Sequence, residues 1–370
     1  MAVRYHLGAF PPSEIDWARL VPLIGQANAA LARYDGLVTA IPNANILLSP
    51  LTTQEAVLSS KIEGTNVTMG EVLEIEAGAD GEIDQPKRED AEEIKNYRIA
   101  LNFAANSLAD RALSPHLLRE THALLMQGVR GRDKNPGAFR TEQNWIGPHG
   151  CQLDSARFIP IPQEHLHAGL ERWAGYVQKN ALDPLVQLAI IHVEFEALHP
   201  FKDGNGRLGR MIIPLFLYER QVLSGPNFYM SAYLESNREE YVESMRSVSS
   251  DGHWTEWCAF FLRGLIEQAS ENQRKAREII ELNGRMHKEV AHLTHSQFTA
   301  LAVGFMFMRP VFSTTHFVSS SGIPRETSLR MLRLMRDAGI LTTVREGSGR
   351  RAAILAFPQL LNIAEGRRVL

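Results

Sequence analysis

The residues with the clearest chemical potential lie in one run, His199-Pro200-Phe201-Lys202-Asp203-Gly204-Asn205-Gly206-Arg207-Leu208-Gly209-Arg210. Gly204 and Gly206 flank Asn205, so this backbone can take conformations that other residues avoid. Successive N–H groups can then face one concavity, which binds anions. A helix is predicted to begin here, and the positive end of its dipole adds to that preference. Arg207 and Arg210 are three residues apart and share one face of that helix. The run therefore favours a polyphosphate ligand.

Two further side chains of this run suggest a reaction. Asp203, at the rim of the loop, would repel phosphates unless Mg²⁺ lies between them, in which case it becomes a metal ligand. His199, at the end of the preceding helix, is well suited to accept a proton near neutral pH. The set indicates nucleotidyl or phosphoryl transfer to a hydroxyl. Two plainer interpretations stay open, a tight turn without a ligand and a structural histidine. A zinc site at His192, Glu196 and His199 is disfavoured because the spacing is not H-E-x-x-H.

Two helices are needed to position these residues. Asp183-Pro184 has the N-cap and first-turn residues of a helix, which should continue to Leu198. The next helix should run from the glycine-rich loop to about Tyr218, with Pro214 removing one backbone hydrogen bond. Further helices are predicted over residues 93–106, 237–248 and 254–280, and an acidic surface loop over residues 76–92.

The C-terminal part differs from the rest in charge and in pattern. Residues 281–370 carry twelve Lys and Arg against six Asp and Glu, and such a basic surface suits a polyanion. Helices are predicted at 314–320 and 324–338, followed by extended runs at 340–345 and 352–357. This is the outline of a winged helix. Protein contact or dimerisation is an open alternative to double-stranded DNA, for which the expected contacts are Arg325, Thr327 and Ser328 on base edges and Arg345, Arg350 and Arg351 on phosphates.

Composition excludes several classes of protein. Apolar residues make up 44% and charged residues 22% of the 370 residues, which suits a globular chain rather than a disordered one. The longest strongly apolar run, near 211–218, is far short of the ~20 residues that cross a bilayer. The first residues lack the apolar stretch of a signal peptide. Cys151 and Cys258 are too few for a disulfide framework or a cysteine-based zinc site. We therefore expect a cytoplasmic protein with no membrane partner.

The run from His199 matches H-P-F-x-[DE]-G-N-G-R-x-x-R at every position and so resembles the signature of the Fic (filamentation induced by cAMP)/Doc family. The resemblance extends over most of residues 40–270. Members typically transfer AMP from ATP to a Ser, Thr or Tyr hydroxyl of a protein and release pyrophosphate. The resemblance implies that His199 deprotonates the hydroxyl and that Asp203 holds Mg²⁺ on the α- and β-phosphates. It further implies that the phosphates are bound by Gly204, Asn205, Gly206, Arg207 and Arg210. The kinase-like Doc branch has Lys in place of Gly206, which favours AMP transfer here.

The resemblance also assigns roles to two segments outside the motif. Residues 136–162 look like a flap with extended runs at 143–146 and 156–159. In the family, a hairpin at this place docks the target by strand addition. The residues expected nearest the site are Phe158, Ile159 and Pro160. Asn237 and Tyr241 lie in a segment that resembles the family's adenine-binding side, although an ordinary helix surface is an open alternative for both.

A third segment resembles the family's inhibitory motif, [ST]-x-x-x-E-[GN]. It reads Ser59-Ser60-Lys61-Ile62-Glu63-Gly64 and lies at the end of a helix predicted over about 52–64, with Thr52 as N-cap, Glu55 at the capping-box position and Gly64 past the end. Ser59 and Glu63 are four residues apart and share a helix face. The resemblance implies that Glu63 pairs with Arg210.

The sequence thus predicts an all-α Fic core with a small β-hairpin flap, followed by a winged helix-turn-helix domain. The expected domains are an N-terminal helical region with the inhibitory helix (1–110), a catalytic core (111–280) and a winged helix (281–370). The expected function is a protein adenylyltransferase that uses ATP and Mg²⁺, acts on a protein hydroxyl and is autoinhibited by Glu63. The sequence leaves open whether the protein modifies itself and whether it forms a homodimer. Two alternatives are a de-AMPylase and a DNA-binding regulator with a nucleotide-sensing core, and the intact His199 argues against the regulator.

Overall fold

Helices make up most of the chain. A computed structural model describes residues 2–41, 43–78, 84–128, 132–148, 150–349 and 351–369, apart from the side chains of Asn45 and Arg132. The helices are α1 (Trp17–Thr39), α2 (Ala44–Leu47), α3 (Ser49–Ile62), α4 (Met69–Glu76), α5 (Gln85–Ser107), α6 (Pro115–Leu125), α7 (Leu166–Gln178), α8 (Pro184–Leu198), α9 (Asn205–Glu219), α10 (Ser231–Ser236), α11 (Arg238–Asp251), α12 (Trp254–Thr294), α13 (Thr299–Met308), α14 (Thr314–Ser320), α15 (Arg325–Asp337) and α16 (Pro358–Glu365).

The strands are short and form two small sheets. They are β1 (Val3–Arg4), β2 (Phe158–Ile159), β3 (Val311–Ser313), β4 (Thr342–Arg345) and β5 (Ile354–Ala356). β1 and β2 pair in parallel, with Val3 opposite Phe158. The second sheet is antiparallel, in the order β3-β5-β4. Single turns of 3₁₀ helix lie at Arg132–Lys134, Leu153–Ser155 and Gln163–His165. Within the described ranges, no helix combines the length and the apolar character that a membrane span requires.

The contacts within the chain divide it into two units. One consists of Met1–Asp35, Leu58–Gly64 and Lys95–Ser270, and the other of Gly36–Val57, Thr65–Ile94 and Glu271–Leu370. Each unit is thus assembled from separate stretches of the sequence. The three consecutive domains expected from the sequence remain a prediction.

α8 and α9 form the centre of the first unit. Nearly all of α8 is buried because apolar side chains occupy all of its faces. Asp183 caps its first turn by accepting two backbone N–H groups, each at 2.9 Å, and Pro184 follows at the first helical position. The indole N–H groups of the buried Trp173 and Trp257 donate to carbonyl oxygens of α8. The predicted helix from Asp183 to Leu198 is confirmed, and it gives the following loop a rigid base.

In the second unit, the C-terminal elements follow the predicted order. α14, α15, β4 and β5 correspond to the two predicted helices and the two extended runs. β3 was not predicted; it precedes α14 and pairs with β5. The rings of Phe305, Phe312 and Phe317 lie 5.0 to 5.6 Å apart and join α13, β3 and α14 in one buried cluster. The assignment of these elements as a winged helix remains a prediction.

Three of the residues expected on nucleic acid need comment. Ser328 is buried and donates to the carbonyl oxygen of Ile323 at 3.1 Å, so the expectation that it reaches a base edge is wrong. Arg345, at the end of β4, donates to the carbonyl oxygen of Gly78 at 3.0 Å. Arg350 lies outside the described residues.

Several predicted boundaries are wrong. α3 begins at Ser49, so Thr52 lies inside the helix instead of capping it, because Pro50 is tolerated in the first turn. The predicted loop at 76–92 is mostly helical: α5 begins at Gln85, where Asp84 accepts the N–H of Lys87 at 3.1 Å, and residues 79–83 lie outside the described ranges. The helix predicted to end at 280 continues to Thr294.

Candidate active site

His199 lies where α8 ends, in a left-handed backbone conformation with φ 46° and ψ 61°. Its ring Nδ1 lies 3.3 Å from the carbonyl oxygen of Glu196, which favours the tautomer with the proton on Nδ1. Nε2 is then left as a proton acceptor. Burial lowers the pKa of His199 to about 4, so the ring is neutral and able to accept a proton at neutral pH.

The loop after His199 is held from inside by two side chains. Asn205 accepts the N–H of Phe201 on Oδ1 at 2.8 Å and donates from Nδ2 to the carbonyl oxygen of Phe201 at 2.9 Å. Its amide is thus used within the loop, and what it can offer a phosphate is its backbone. His122 of α6 stacks on the Phe201 ring, with 3.8 Å between centroids, and donates from Nε2 to the carbonyl oxygen of Asp203 at 2.9 Å. Burial lowers the pKa of His122 to about 4, which keeps this ring neutral.

The two glycines of the loop have no room for a side chain. Gly204 has φ +78°, and a Cβ on it would lie 2.8 Å from the sulfur of Met126. A Cβ on Gly206 would lie 2.1 Å from Oε1 of Glu63. Asp203 accepts the N–H of Gly204 on Oδ1 at 2.6 Å, while half of its side chain remains exposed. The loop therefore brings backbone amides to the N-terminus of α9, as an anion site requires, and places one accessible carboxylate beside them.

Both arginines of the run are buried. Arg210, 2% exposed, donates from Nε to the hydroxyl of Ser59 at 2.8 Å and from Nη2 to the carbonyl oxygen of Ser59 at 2.7 Å. The same Nη2 donates to Oε1 of Glu63 at 2.7 Å. Arg207 extends toward the sulfur of Met126, with Nη2 at 3.5 Å. Arg210, one of the cations of the predicted phosphate site, is therefore engaged by Ser59 and Glu63.

The predicted inhibitory residues meet at Arg210. Glu63 is the first residue after α3, and Gly64 follows with φ +104°. Burial alone would raise the pKa of Glu63, but the charge and the hydrogen bond of Arg210, together with the charges of Arg207 and His199, outweigh burial and lower this pKa below its ordinary value. The end of α3 is held from the other side, since Arg238 donates to the carbonyl oxygen of Ile62 at 3.2 Å. A further ion pair, Lys61 with Glu235 at 2.8 Å, lies beside it.

The two residues expected near adenine differ in their placement. Tyr241 is buried, and its hydroxyl lies 2.9 Å from Nε2 of His192, whose Nδ1 lies 3.1 Å from the carbonyl oxygen of Gly209. Burial lowers the pKa of His192 to about 3, so the neutral ring donates to Gly209 and accepts from Tyr241. The expectation for Tyr241 is thus corrected, because it supports α9 from the core. Asn237 is half-buried and donates to the carbonyl oxygen of Tyr233 at 2.9 Å, and its contact with a base stays a prediction.

The flap is smaller than a hairpin of two strands. Ile146 and Phe158 form one antiparallel bridge, and β2 pairs on its other side with β1. Phe158, Ile159 and Pro160 are buried. β2 is therefore paired on both sides at Phe158 and has no free edge there for a target strand. The burial of all three side chains argues against the docking role expected of them. In the described part of the flap, the exposed large hydrophobic side chains are Trp145 and Ile146, at 39% and 38%, together with Leu153 at 40%.

Three residues near the site were missed by the sequence analysis. Arg140 and His122 bind the backbone around His199 and Asp203 through contacts between distant parts of the chain, for which the sequence carries no local signal. Glu196 was considered only as a zinc ligand. Its Oε1 is buried without a hydrogen-bond partner, and burial raises its pKa to about 7. The available signal was a carboxylate in a largely apolar helix, three residues before His199.

Comparison with known proteins gives the site a family context. A probable protein adenylyltransferase from Aquifex aeolicus is 26% identical over 209 residues, which are 54% of this chain and 56% of that protein. The protein adenylyltransferase Fic of Drosophila mojavensis is 28% identical over 163 residues, which are 42% of this chain and 30% of that protein. The chain therefore spans about half, or less, of the length of these relatives.

Solved structures and family models extend the match. A Fic family protein from Desulfovibrio desulfuricans superposes with a TM-score of 0.58 at 19% identity, covering 94% of this chain and 98% of that one. Fic-1 of Caenorhabditis elegans gives a TM-score of 0.53 at 17% identity, covering 72% and 76%. The model of the Fic/DOC family N-terminal region matches residues 21–106, and that of the Fic/DOC family matches residues 112–217. Since these two models together match more than half of the sequence, the chain belongs to the Fic/DOC family.

Proposed function

We propose that the protein is an adenylyltransferase that moves AMP from ATP to a Ser, Thr or Tyr hydroxyl of a protein, and that Glu63 holds it in an inhibited state. One observation carries the proposal. The contact of Nδ1 of His199 with the carbonyl oxygen of Glu196 leaves Nε2 as the acceptor, next to an amide-lined loop that leads into α9. A proton acceptor beside an anion site suits attack by a hydroxyl on a phosphate.

The steps follow from the chain's own groups. Nε2 of His199 takes the proton of the target hydroxyl while its oxygen attacks the α-phosphorus of ATP. The bond from the α-phosphorus to the bridging oxygen breaks, and pyrophosphate leaves. The backbone amides of Asn205 and Gly206, with Arg207 and Arg210, hold the β- and γ-phosphates and stabilise the charge that develops on the leaving group. The relatives named protein adenylyltransferase support this direction of transfer.

Mg²⁺ fits the donor set at Asp203. This carboxylate is half exposed, and its hydrogen bond to Gly204 uses one oxygen. In the described part of the chain, no group of three or more His, Cys, Asp or Glu side chains forms a metal cluster. Mg²⁺ is commonly held by one or two carboxylates together with substrate phosphates and water, so a single carboxylate at a phosphate site is adequate. When bound, the ion would neutralise charge on the α- and β-phosphates.

The inhibited state is proposed from the contacts of Arg210. While Arg210 donates to Glu63 and Ser59, it is not free to bind a γ-phosphate. Glu63 also brings a negative charge to within 2.1 Å of the position that a Cβ on Gly206 would take. A triphosphate that entered this space would meet both charge repulsion and a missing cation, and its α-phosphorus would be badly oriented for in-line attack.

The position of the label in ATP tests the proposed reaction. We expect Glu63→Gly protein to transfer label to itself or to a lysate protein from ATP labelled at the α-phosphate and not from ATP labelled at the γ-phosphate. His199→Ala in the same background should lose ~10²–10⁴-fold in rate and keep its ATP affinity by calorimetry. Transfer from the γ-label would instead identify a kinase. Release of AMP from modified protein, without transfer, would identify a de-AMPylase.

For the target, we propose docking along the exposed side of the flap. Trp145 and Ile146 present apolar surface there, and the indole N–H of Trp145 donates to the carbonyl oxygen of Cys151 at 2.9 Å, which fixes the ring. Trp145→Ala should therefore lower labelling of a protein target and leave ATP affinity unchanged.

For the C-terminal elements, we propose a winged helix that binds a polyanion, with double-stranded DNA as the first ligand to test. α15 exposes four arginines on its surface, namely Arg325, Arg330, Arg333 and Arg336. Their spacing places positive charge along a helix that could enter a major groove.

A further inference from the structure

Two side chains from the first part of the flap converge on the backbone of His199. Arg140, 3% exposed, donates from Nε to the carbonyl oxygen of His199 at 3.0 Å and from Nη2 to that of Leu198 at 3.4 Å. Asn144 donates from Nδ2 to the carbonyl oxygens of His199 and Phe201, at 3.3 and 3.2 Å. The carbonyl group of His199 is thus held by two separate side chains.

The other contacts of Arg140 join this loop to the flap. Arg140 donates from Nη2 to the carbonyl oxygen of Ile161 at 2.5 Å and from Nη1 to that of Glu142 at 3.0 Å. Its own backbone N–H donates to the carbonyl oxygen of Pro200 at 2.8 Å. Burial lowers the pKa of Arg140 to about 10, so it is charged at neutral pH. The negative end of the α8 dipole and its last carbonyl groups compensate this buried charge.

This arrangement answers a conformational need of His199. A residue other than glycine is disfavoured in the left-handed region, and such a conformation persists when the surroundings fix it from several sides. We propose that Arg140 and Asn144 are positioning residues for the reaction: they fix the left-handed backbone of His199 so that Nε2 faces the incoming hydroxyl. The inference rests on the proposed function, since an oriented acceptor matters when a hydroxyl is to be activated.

A charge effect accompanies the geometric one. Burial and the guanidinium of Arg140 lower the pKa of His199, whereas the carboxylates of Glu63 and Asp203 and the contact with the carbonyl group of Glu196 raise it. Loss of the Arg140 charge should therefore move the pKa of His199 upward, toward its ordinary value. A side chain that only filled space would have no such effect.

The test uses the full chain in the Glu63→Gly background. The variants are Arg140→Met, which removes the charge, Arg140→Lys, which keeps it, and Asn144→Ala. Arg220→Met is the matched control. Arg220 lies at the C-terminal end of α9, away from the loop, and it also donates to carbonyl oxygens at the end of a helix, namely those of Val177 and Lys179 at the end of α7. The measurements are kcat and KM for ATP, and the titration of ¹³C-labelled histidine rings by NMR, in which the His199 signal is identified by its loss in His199→Gln.

We expect Arg140→Met to lower kcat ~10²-fold, because a displacement of ~1 Å has that effect, with KM for ATP changed less than about threefold. The titration of His199 should move upward in Arg140→Met and stay in place in Arg140→Lys. Asn144→Ala should lower kcat about tenfold, and Arg220→Met should change neither quantity.

Other outcomes overturn the inference. An unchanged kcat in Arg140→Met and Asn144→Ala would do so, as would losses that Arg220→Met shares. If Arg140→Met does not fold, Arg140→Lys and Asn144→Ala decide: both must lower kcat at constant KM. The NMR titration needs no activity, so it separates a failure here from a failure of the proposed function. Absence of transfer in the parent Glu63→Gly protein would count against the proposed function. An unmoved titration of His199 in folded Arg140→Met would count against the positioning role of Arg140.

Discussion

Replacement of Glu63 by glycine should accelerate AMP transfer at least about tenfold. Oε1 of Glu63 accepts a hydrogen bond from Nη2 of Arg210 at 2.7 Å, and the Glu63 side chain is 43% exposed while Arg210 is 2% exposed. A charge-assisted hydrogen bond contributes ~1.5–3 kcal/mol, and solvent at the Glu63 side puts this pair near the lower end. Since ~1.4 kcal/mol corresponds to a factor of ten, loss of the carboxylate should free Arg210 about ten times more often. Better alignment of the α-phosphorus would add to this.

The substitution of Glu63 should disturb the helix little. Glu63 follows the last residue of α3, so glycine at this position removes no helical residue. The assay is the initial rate of incorporation from α-labelled ATP. Glu63→Gln, which removes the charge and keeps the shape, should give an intermediate rate. Glu243→Gln is the control, because Glu243 forms an exposed pair of the same length with Arg246, at 2.7 Å.

Two results would refute the reasoning in different ways. A Glu63→Gly rate equal to that of the wild type and of the control would refute inhibition by this carboxylate. An equally fast Glu63→Gly/Arg210→Ala double variant would leave inhibition standing and refute Arg210 as the group that Glu63 withholds.

Three further predictions concern the surroundings of the site and the C-terminal elements. Arg238→Ala should raise the transfer rate about fivefold, because it removes one hydrogen bond of ~1 kcal/mol from the carbonyl group of Ile62; an unchanged labelling rate would contradict this. Charge reversal at the exposed Arg330 and Arg333 should abolish retardation of double-stranded DNA in gels at low salt, and wild-type binding that is indifferent to salt would speak against phosphate contacts. Lowering the pH from 7.5 to 5.0 should reduce the free energy of unfolding by roughly 3 kcal/mol in urea titrations. The reason is that three histidines, whose pKa values are lowered by burial, stay neutral in the folded state and gain protons on unfolding below about pH 6.5. Glu196, whose pKa is raised to about 7, partly offsets the loss. A stability that rises on acidification would contradict this prediction. The histidines are His122, His192 and His199, with pKa values of about 4, 3 and 4.

Local signals made the α8–α9 region predictable. Asp183 and Pro184 cap α8, and the two glycines mark the loop, so both helices and the loop follow from residues close together in sequence. The same holds for the end of α3 at Gly64, which takes the left-handed conformation that glycine accepts readily. By contrast, the start of α5 was missed because an acidic, glycine-bearing composition looked like a loop, although Asp84 supplies a cap.

What depended on distant contacts was not predictable. Arg140 reaches the carbonyl group of His199 over 59 residues of sequence, and His122 reaches that of Asp203 over 81. The flap was expected to be a small β-hairpin, but β1, near the beginning of the chain, occupies one edge of β2. Tyr241 looked available to a base because helical spacing does not reveal that His192 lies beneath it.

The space next to Gly206 is too small to hold two groups at once. A Cβ there would lie 2.1 Å from Oε1 of Glu63 and 3.0 Å from Nη1 of Arg210, so the volume accepts one occupant at a time. Whatever fills it, whether a phosphate group or a methyl group added by mutation, must first displace the carboxylate. If Glu63 inhibits transfer as proposed, the absence of a side chain at Gly206 is what lets the carboxylate and a phosphate group occupy the same space in turn.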